Sequence, residues 1–236
     1  MDKTLIIIPV VNELENLKKI ISKIFFYLSN ISVLIVDDNS DDGTDTWVKS
    51  LNKKKINYIR RNRKLGIGDA HTTGILWAYQ KGFSLAITMD GDLSHKPFLL
   101  RKFIKKSKSN SELILSNRYS KKKNYLKNWP IKKRIQSKIG HFIILIFFNI
   151  KYDITNGLRL YNLKKIPKKY FQKFKKFKNY EFFLASGIVL TQKFNVSQIY
   201  IEMPYRVTGD SKMNFKHLLI WIYTIFKLKI FKLKIE

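Results

Sequence analysis

Short runs of aliphatic residues alternate with longer amphipathic segments through the first half of the chain. This rhythm predicts an open α/β sheet with mostly parallel strands, because two parallel strands need a crossover between them that is usually helical. The predicted strands are residues 5–8, 33–36, 56–59, 85–89 and 113–116, and the predicted helices are residues 13–28, 42–51, 69–81 and 97–108. Ligands of such sheets bind at the carboxyl ends of the strands, so the loops that follow the strands are the candidate functional segments.

The pattern changes after Tyr119. Residues 121–138 are basic and loop-like, and Trp129-Pro130 interrupts them. Further on we predict helices at residues 132–148, 180–193 and 217–231, a turn and a strand within residues 153–161, a strand at 196–203 and a polar loop at 206–212. Since we find no internal repeat and no Pro/Gly/Ser-rich linker, we expect one main domain over residues 1–212 and an amphipathic helix within residues 213–236.

Composition limits the classes of function. The chain has 236 residues, of which 45% are hydrophobic, so a folded domain is expected rather than disorder. It has no cysteine, which excludes disulfides, thiolate metal sites and cysteine nucleophiles. The formal net charge of +29 favours a phosphorylated ligand, an anionic membrane surface or nucleic acid as a partner. Codon bias toward lysine explains the excess of lysine equally well.

Apolar runs indicate where the chain is expected to reside. The run that follows Met1 is too short for a signal peptide. The longest apolar stretches, residues 139–150 and 218–226, are shorter than the roughly 20 residues that a spanning helix needs. We therefore expect a cytoplasmic chain and expect any membrane contact to be peripheral, on the cytoplasmic face.

Two of the loops that follow strands have equally simple structural explanations. Pro9 ends the first strand and Glu13 begins a helix, where a carboxylate either accepts from a base or ribose or favours the helix N-terminus. Residues 62–68 contain Gly66 and Gly68 beside basic side chains. This segment is either a phosphate-binding loop or an ordinary glycine loop.

Adjacent carboxylates follow the second predicted strand. Asp37 and Asp38 are electrostatically unfavourable neighbours unless each meets a cation or hydrogen-bond donors. Asp38 is therefore the candidate for holding a nucleotide base or ribose. Ser40 or Asp41 is the candidate N-cap of the next helix.

An Asp-X-Asp motif follows the strand at residues 85–89. Asp90 and Asp92 flank Gly91 and place two carboxylates at the edge of the sheet. Such oxygen ligands suit Mg²⁺ or Mn²⁺, which keep positions open for substrate phosphates. A cation there would neutralise a diphosphate leaving group.

Taken in order, these motifs resemble the family 2 glycosyltransferases of the GT-A fold, and most closely the dolichol-phosphate mannosyltransferase branch. The resemblance runs from about residue 4 to residue 212. Its matching segments are residues 8–17, 36–44, 64–70, 89–95, 116–119, 155–161 and 206–212.

The resemblance implies inverting transfer of a hexose, with mannose from GDP-mannose as the best guess, to polyprenyl phosphate, with Mg²⁺ or Mn²⁺ as the cofactor. It implies Asp92 and Arg118 as catalytic residues and Asp90 and Asp92 as metal ligands, with Arg206 and Lys212 closing over the diphosphate. The residues that it implies for donor binding are Pro9, Val11, Glu13, Val36, Asp38, Asp90, Gly91, Asp92, Arg118, Arg206 and Lys212.

Two positions depart from the family pattern. Val11 stands where the family has Tyr, and Phe183 and Ala185 occupy a helix that usually carries Gln and Glu. These differences leave the sugar open. A family member that uses UDP-glucose or an amino sugar in surface glycan synthesis is therefore an alternative.

A lipid acceptor would require contact with a membrane surface. Residues 121–138 are basic and contain aromatic side chains, and residues 139–150 are apolar nearly all round. The basic and aromatic residues suit an anionic lipid interface, whereas the apolar run fits either the interface or the core. A membrane-anchoring protein partner is also compatible with this pattern. A non-enzymatic module that binds nucleic acid or membrane explains the charge but not acidic clusters at successive strand ends, so we expect no nucleic-acid partner.

Overall fold

The computed structural model describes residues 3–51, 54–119, 126, 129–204 and 215–230, and the side chains of the last helix only from residue 220 to 229. Strands and helices alternate through most of this part of the chain. In chain order they are β1 (Thr4–Val10), α1 (Leu14–Tyr27), β2 (Ser32–Asp37), α2 (Thr44–Ser50), β3 (Ile56–Arg60), α3 (Ile67–Gln80), β4 (Leu85–Thr88), α4 (Leu99–Lys106), β5 (Leu113–Asn117), α5 (Ile131–Phe148), β6 (Arg159–Asn162), α6 (Lys168–Phe174), α7 (Glu181–Lys193), β7 (Val196–Tyr200) and α8 (Phe215–Ile230).

The strands of the described ranges form one sheet in the order β3-β2-β1-β4-β6-β5-β7. Neighbouring strands are parallel except that β6 runs antiparallel to both β4 and β5. The prediction of a mostly parallel α/β sheet is therefore confirmed. Since β4 and β5 both oppose β6, they point the same way as β1 and β2. The carboxyl ends of these four strands consequently share one edge of the sheet.

Strand β1 lies in the interior of the sheet, between β2 and β4, and both of its faces are apolar. Leu5 and Ile7 pack in one core layer, and Ile6 and Ile8 pack in the other. All four are fully buried. A run of consecutive aliphatic residues is typical of a parallel strand that helices cover on both sides. The first predicted strand is therefore β1, a rigid buried strand that positions the cleft residues at its end.

Some predicted boundaries were wrong for local reasons. Helix α2 begins at Thr44, two residues late, and β7 ends at Tyr200 rather than at residue 203. The helix predicted at residues 132–148 is confirmed as α5. Residues 131–138, part of the segment expected to be loop-like, belong to this helix, because Pro130 is well suited to precede a first helical turn. Helix α6 (Lys168–Phe174) was not predicted, since its lysines mask a short apolar repeat.

The C-terminal helix packs against the core. Trp221, Ile225 and Leu228 of α8 are buried in the layer that contains α3 and α7. Its outward side is not a polar face, because Ile222 and Phe226 are exposed there. None of the helices in the described ranges is long and apolar enough to cross a bilayer.

Candidate functional site

A cleft of about 210 Å³ opens at the carboxyl edge of the sheet. It lies between the ends of β1 and β4, where the strand order reverses direction and where open α/β sheets bind their ligands. Many of the predicted donor-binding residues are together in its wall. The lining consists of Pro9, Val10, Val11, Glu13, Asp38, Gly66, Ile67, Ala70, Asp90, Gly91, Asp92, Asn179 and Tyr180.

Asp38 is held in place by Arg61, a residue to which the sequence interpretation gave no role. One Arg61 nitrogen donates to Asp38 Oδ1 at 2.7 Å, and the other donates to Asp69 Oδ1 at 2.7 Å. The backbone N–H groups of Leu65 and Gly66 also donate to the Asp38 carboxylate, at 2.8 and 2.9 Å. The guanidinium thus joins two buried carboxylates, and Asp38 faces the cleft with a fixed orientation.

Asp37 has a structural role. Its Oδ1 accepts from the Ser40 backbone N–H at 2.8 Å and from the Ser40 hydroxyl at 2.6 Å. The Tyr58 hydroxyl donates to its other oxygen at 2.5 Å. Burial and the neighbouring Asp37 charge raise the pKa of Tyr58, which therefore stays protonated as the donor. Asp37 and Asp38 thus accept hydrogen bonds from separate sets of donors, which offsets the repulsion between the two adjacent charges.

The predicted helix caps were wrong. Gly43, with φ of 87°, precedes α2, and neither Ser40 nor Asp41 caps that helix. Asp42 instead accepts from the Thr44 N–H and hydroxyl through one oxygen and from the Leu14 N–H through the other. One carboxylate therefore serves the starts of both α1 and α2.

Glu13 lines the cleft and occupies the N-cap position of α1, but its side chain caps no backbone N–H group. Its carboxylate accepts from the Asn16 side chain at 2.7 Å and makes no capping hydrogen bond to the helix. The preceding Asn12 adopts φ of 52°, a left-handed conformation that asparagine tolerates. Asn12 also exchanges hydrogen bonds with the loop after β2, through Ser40 and Asp41. These bonds hold the first two loops together beside the cleft.

Gly66, just before α3, and Gly68, in the first turn of α3, allow close packing of another segment. A Cβ atom at Gly66 would lie 2.5 Å from the Lys178 carbonyl oxygen, and one at Gly68 would lie 2.5 Å from the Asn179 carbonyl oxygen. The Asp69 N–H donates to the Lys178 carbonyl at 3.0 Å. This approach brings Asn179 and the neighbouring Tyr180 into the wall of the cleft, and the sequence interpretation had missed both.

The Asp-X-Asp turn is supported by a buried histidine. His95 Nδ1 accepts from the Asp90 backbone N–H at 3.1 Å, so its Nε2–H is the donor to Asn156 Oδ1 at 2.7 Å. The Ser94 N–H donates to Asp92 Oδ1 at 3.0 Å. Leu93 has φ of 63°, an uncommon conformation for a branched residue. Such strain persists where the surroundings fix the backbone, which they do here.

Gly157 leaves room for the Asp90 side chain. A Cβ atom at this position would lie 2.6 Å from Asp90 Oδ1, closer than nonbonded atoms approach. The residue lies in the turn before β6, whose first residue Arg159 pairs with Thr88 of β4. A glycine at this position therefore sets the space available to the carboxylate.

The two carboxylates of the Asp-X-Asp motif fit a cation that is bound partly by the protein and partly by substrate phosphates. Within the described ranges no group of three or more His, Asp or Glu side chains is arranged to hold a metal ion. Two carboxylates, Asp90 and Asp92, nevertheless face one cleft. Mg²⁺ in nucleotide sites is held by one or two carboxylates together with substrate phosphates and water, so two protein ligands suffice.

Arg118 lies at the end of β5, outside the lining of the cleft. Its guanidinium donates to both oxygens of Asp153, at 2.7 and 3.0 Å, and to the Thr155 hydroxyl at 2.7 Å. It lies over the rings of Tyr119 and Trp129, at 5.6 and 5.7 Å. Burial opposes the charge of each partner. Their mutual attraction prevails, so that the pKa of Asp153 is lowered and that of Arg118 is raised.

Other predicted site residues lie elsewhere. Val36 is fully buried in the core, where it faces α3 at Gly74, and it does not line the cleft. Arg206 and Lys212 lie outside the described residues. Phe183 and Ala185 are buried within α7.

A mostly parallel sheet with a cleft at its switch point is an α/β fold of the GT-A type. Solved structures of glucosyl-3-phosphoglycerate synthase from Mycobacterium tuberculosis share this fold. The form with Mn²⁺, UDP and phosphoglyceric acid has a TM-score of 0.62 at 11% identity, over 96% of this chain and 78% of that one. The form with Mg²⁺ and UDP has a TM-score of 0.61 at 12% identity, over 97% and 79%.

Sequence comparison gives the family. The model of Glycosyl transferase family 2 matches residues 5–180, and the chain belongs to that family. Polyprenol monophosphomannose synthase of Mycolicibacterium smegmatis is 30% identical over 70% of this chain and 64% of its own length. Undecaprenyl-phosphate mannosyltransferase of Micrococcus luteus is 30% identical over 67% and 66%, and dolichol-phosphate mannosyltransferase of Pyrococcus furiosus is 30% identical over 67% and 49%. The chain thus spans about half to two thirds of the length of these relatives.

Proposed function

We propose that the chain transfers a hexose, most simply mannose from GDP-mannose, to a polyprenyl phosphate with inversion at the anomeric carbon. The observation that carries this proposal is the convergence of Glu13, Asp38, Asp90 and Asp92 on one cleft. Family membership supports the reaction class. The names of the three relatives combine mannose with a polyprenol or its phosphate, and they support mannose as the sugar and polyprenyl phosphate as the acceptor.

The donor would lie along the wall of the cleft. Asp38, held by Arg61 and two backbone N–H groups, accepts hydrogen bonds from the nucleotide base or ribose together with Glu13. The diphosphate then extends toward Asp90 and Asp92. Mg²⁺ or Mn²⁺ bound there supplies charge neutralisation of the leaving diphosphate. Because residue 11 is valine and not an aromatic residue, the nucleotide base would contact Pro9 and other apolar residues of the cleft wall.

The acceptor is itself the nucleophile. A phosphate oxygen of the lipid attacks the anomeric carbon, the bond from that carbon to the diphosphate breaks, and the nucleoside diphosphate leaves. A phosphate monoester has a second pKa of about 6 and is ionised at neutral pH, so little base assistance is needed. If a base acts, Asp92 is our candidate. Catalysis rests mainly on positioning and on charge stabilisation.

Cations would attract the acceptor phosphate. Arg118 remains charged because its pKa is raised by Asp153, despite burial that acts to lower it. We propose that it contributes positive potential to the acceptor side and that Arg206 and Lys212 close over the diphosphate. We also propose a peripheral position at the cytoplasmic face of the membrane, with a membrane-anchoring protein as a further partner.

Lipid-extractable label tests the proposal. The purified chain is incubated with labelled GDP-mannose or UDP-glucose, polyprenyl phosphate, and Mg²⁺, Mn²⁺ or a chelator. We expect labelled lipid from GDP-mannose only when a divalent cation is present. If only UDP-glucose gives labelled lipid, the proposed sugar is glucose rather than mannose. If none of a broader panel of donors gives labelled lipid, the proposed lipid acceptor is refuted.

Matched variants test the assignment of the cleft. Asp90→Asn and Asp92→Asn should each lower kcat by about a hundredfold or more, because charge stabilisation of the leaving group is lost. Asp41→Asn is the control, since Asp41 is exposed and does not line the cleft. Unchanged turnover in both cleft variants, with unchanged thermal unfolding, would contradict the metal assignment.

A further inference from the structure

The chain between α5 and β6 contacts two separate parts of the proposed site. Residues 153–158 are called the connecting segment below. At its start, Asp153 accepts two hydrogen bonds from the Arg118 guanidinium, at 2.7 and 3.0 Å. Further along, the Asn156 side chain reaches the histidine that supports the turn at Asp90. The connecting segment therefore lies between the proposed acceptor cation and the Asp-X-Asp turn.

The Asn156 side chain is a buried acceptor with a defined orientation. Asn156 is only 3% exposed, and its amide oxygen accepts from the Leu158 backbone N–H at 3.1 Å. Because a backbone N–H can only donate, the amide atom that it meets must be the oxygen and not the nitrogen. The same oxygen lies 2.7 Å from Nε2 of the His95 ring. A backbone group thus determines which end of the amide faces the histidine.

This orientation of the amide determines which ring nitrogen of His95 carries the proton. A neutral imidazole has one donor nitrogen and one acceptor nitrogen, and a hydrogen bond at one of them sets the role of the other. Since the Asn156 oxygen can only accept, Nε2 donates and Nδ1 keeps its lone pair. That lone pair accepts from the Asp90 backbone N–H at 3.1 Å. In the other tautomer two N–H groups would face each other, and His95 is fully buried, so water could not readily separate them.

Arg159 fixes the backbone on both sides of Asn156. It is fully buried, and its guanidinium donates to the carbonyl oxygens of Ile154 and Asn156, at 2.5 and 2.9 Å. It also donates to the Phe183 carbonyl and to the Ser186 hydroxyl of α7, at 2.9 Å each. All four acceptors are neutral oxygens, and they take the place of water around the buried cation. The connecting segment is consequently held against α7, with the amide of Asn156 in a fixed place.

We propose that Asn156 is a positioning residue for the Asp-X-Asp turn and that it acts through the tautomer of His95. Its amide oxygen selects the Nε2–H form. That form holds the Asp90 N–H, and with it the direction in which the Asp90 carboxylate enters the cleft. The use of this carboxylate as a ligand of Mg²⁺ or Mn²⁺ rests on the proposed function, whereas the tautomer does not depend on it. Removal of groups that orient metal ligands lowers metal affinity by about 10–100-fold in proteins.

Long-range ¹H–¹⁵N NMR of the ligand-free chain measures the tautomer directly. The chain has four histidines, and loss of one set of ring signals in His95→Asn assigns those of His95. We expect the Nε2–H form in the unaltered chain. In Asn156→Leu, which keeps a branched side chain but offers no acceptor, the Nδ1–H form should appear.

Asn162→Leu is the matched control for this spectrum. Asn162 ends β6 and pairs with Leu85 at the edge of the sheet opposite the cleft, so its replacement should leave the His95 signals unchanged. A His95 ring in the Nδ1–H or cationic form in the unaltered chain would overturn the proposal without any Asn156 variant. So would an unchanged Nε2–H form in Asn156→Leu.

A double-mutant cycle tests whether Asn156 acts through His95. The affinity for Mn²⁺ in the presence of GDP or UDP is measured by electron paramagnetic resonance in the unaltered chain, Asn156→Leu, His95→Asn and the double variant. We expect Asn156→Leu to weaken Mn²⁺ binding about tenfold. It should have little further effect once His95 is asparagine, because no ring tautomer is left to select. Additive effects of the two changes would show that Asn156 acts independently and would overturn the proposal.

The outcomes separate this role from the proposed reaction. If the tautomer and the cycle behave as expected but no donor gives labelled lipid, the proposed function fails and the positioning role stands. If labelled lipid forms but Asn156→Leu leaves both the His95 signals and the Mn²⁺ affinity unchanged, the positioning role fails and the proposed function stands.

Discussion

Replacing Arg61 by methionine should destabilise the protein far more than the same change at its neighbour Arg60. Arg61 joins the carboxylates of Asp38 and Asp69 at 2.7 Å each, and the three side chains are only 6–10% exposed. Methionine retains much of the apolar volume but removes the charge. Two buried carboxylates then lose their shared cation.

The magnitude follows from burial. Removing one partner of a buried ion pair destabilises a protein by about 3–5 kcal/mol, because the remaining charge is left without compensation. Arg60 pairs with Asp45 at 3.0 Å, but its side chain is 40% exposed. Exposed pairs contribute only about 0–1 kcal/mol. Since a folded domain is stable by about 5–15 kcal/mol, the Arg61 variant should lose a large fraction of its total stability.

Urea unfolding of the two variants measures the difference directly. We expect Arg61→Met to lower the free energy of unfolding by at least about 2 kcal/mol more than Arg60→Met does. Nucleotide affinity should fall with it, since the Asp38 carboxylate loses the donor that orients it. Equal destabilisation by the two changes would refute the reasoning that burial gives Arg61 its role.

Two further predictions concern protonation and space. Burial, and then the Arg159 charge, lower the pKa of His71 from 6.5 to about 3. The unfolded chain therefore binds a proton first, and stability should fall by about 1.4 kcal/mol per pH unit as the pH drops from about 6.5 toward 3. Urea unfolding of His71→Phe should show a smaller decrease in the free energy of unfolding over that pH range. If the pH dependence is the same as in the unaltered chain, His71 is not the source of the decrease. Gly157→Ala should lower kcat by about tenfold or more, because its Cβ would displace the Asp90 carboxylate from its position over the cleft. Gly140→Ala meets only ordinary contacts and is the control, and equal kcat in the two variants would refute the steric argument.

The sequence predicted those residues of the cleft whose place follows from lying at the end of a strand. Asp38 and Asp90 each follow a strand, whereas Pro9, which was expected to end the first strand, lies inside β1 next to its last residue. Parallel strands bring these ends to one edge without any further information. No local pattern predicted Arg61 as the partner of Asp38, or Asp153 as the partner of Arg118. Those pairings depend on how side chains from separate loops meet. Glycine was a usable signal, but neither reading of this loop predicted that Gly66, before α3, and Gly68, in its first turn, make room for the chain at residues 177–179.

The two surfaces of this chain separate its charges. The cleft collects carboxylates whose positions are fixed by Arg61, which donates to Asp38, and by His95, which accepts from the Asp90 backbone N–H, whereas α5 presents exposed lysines beside an exposed apolar face. Codon bias explains a general excess of lysine, but it does not explain why exposed lysines border a stripe of isoleucines that a water-soluble helix would not expose. The proposed reaction, with a water-soluble donor and a lipid acceptor, would need both environments. Tyr119, in contact with α5 and with Arg118, is where the structure joins them.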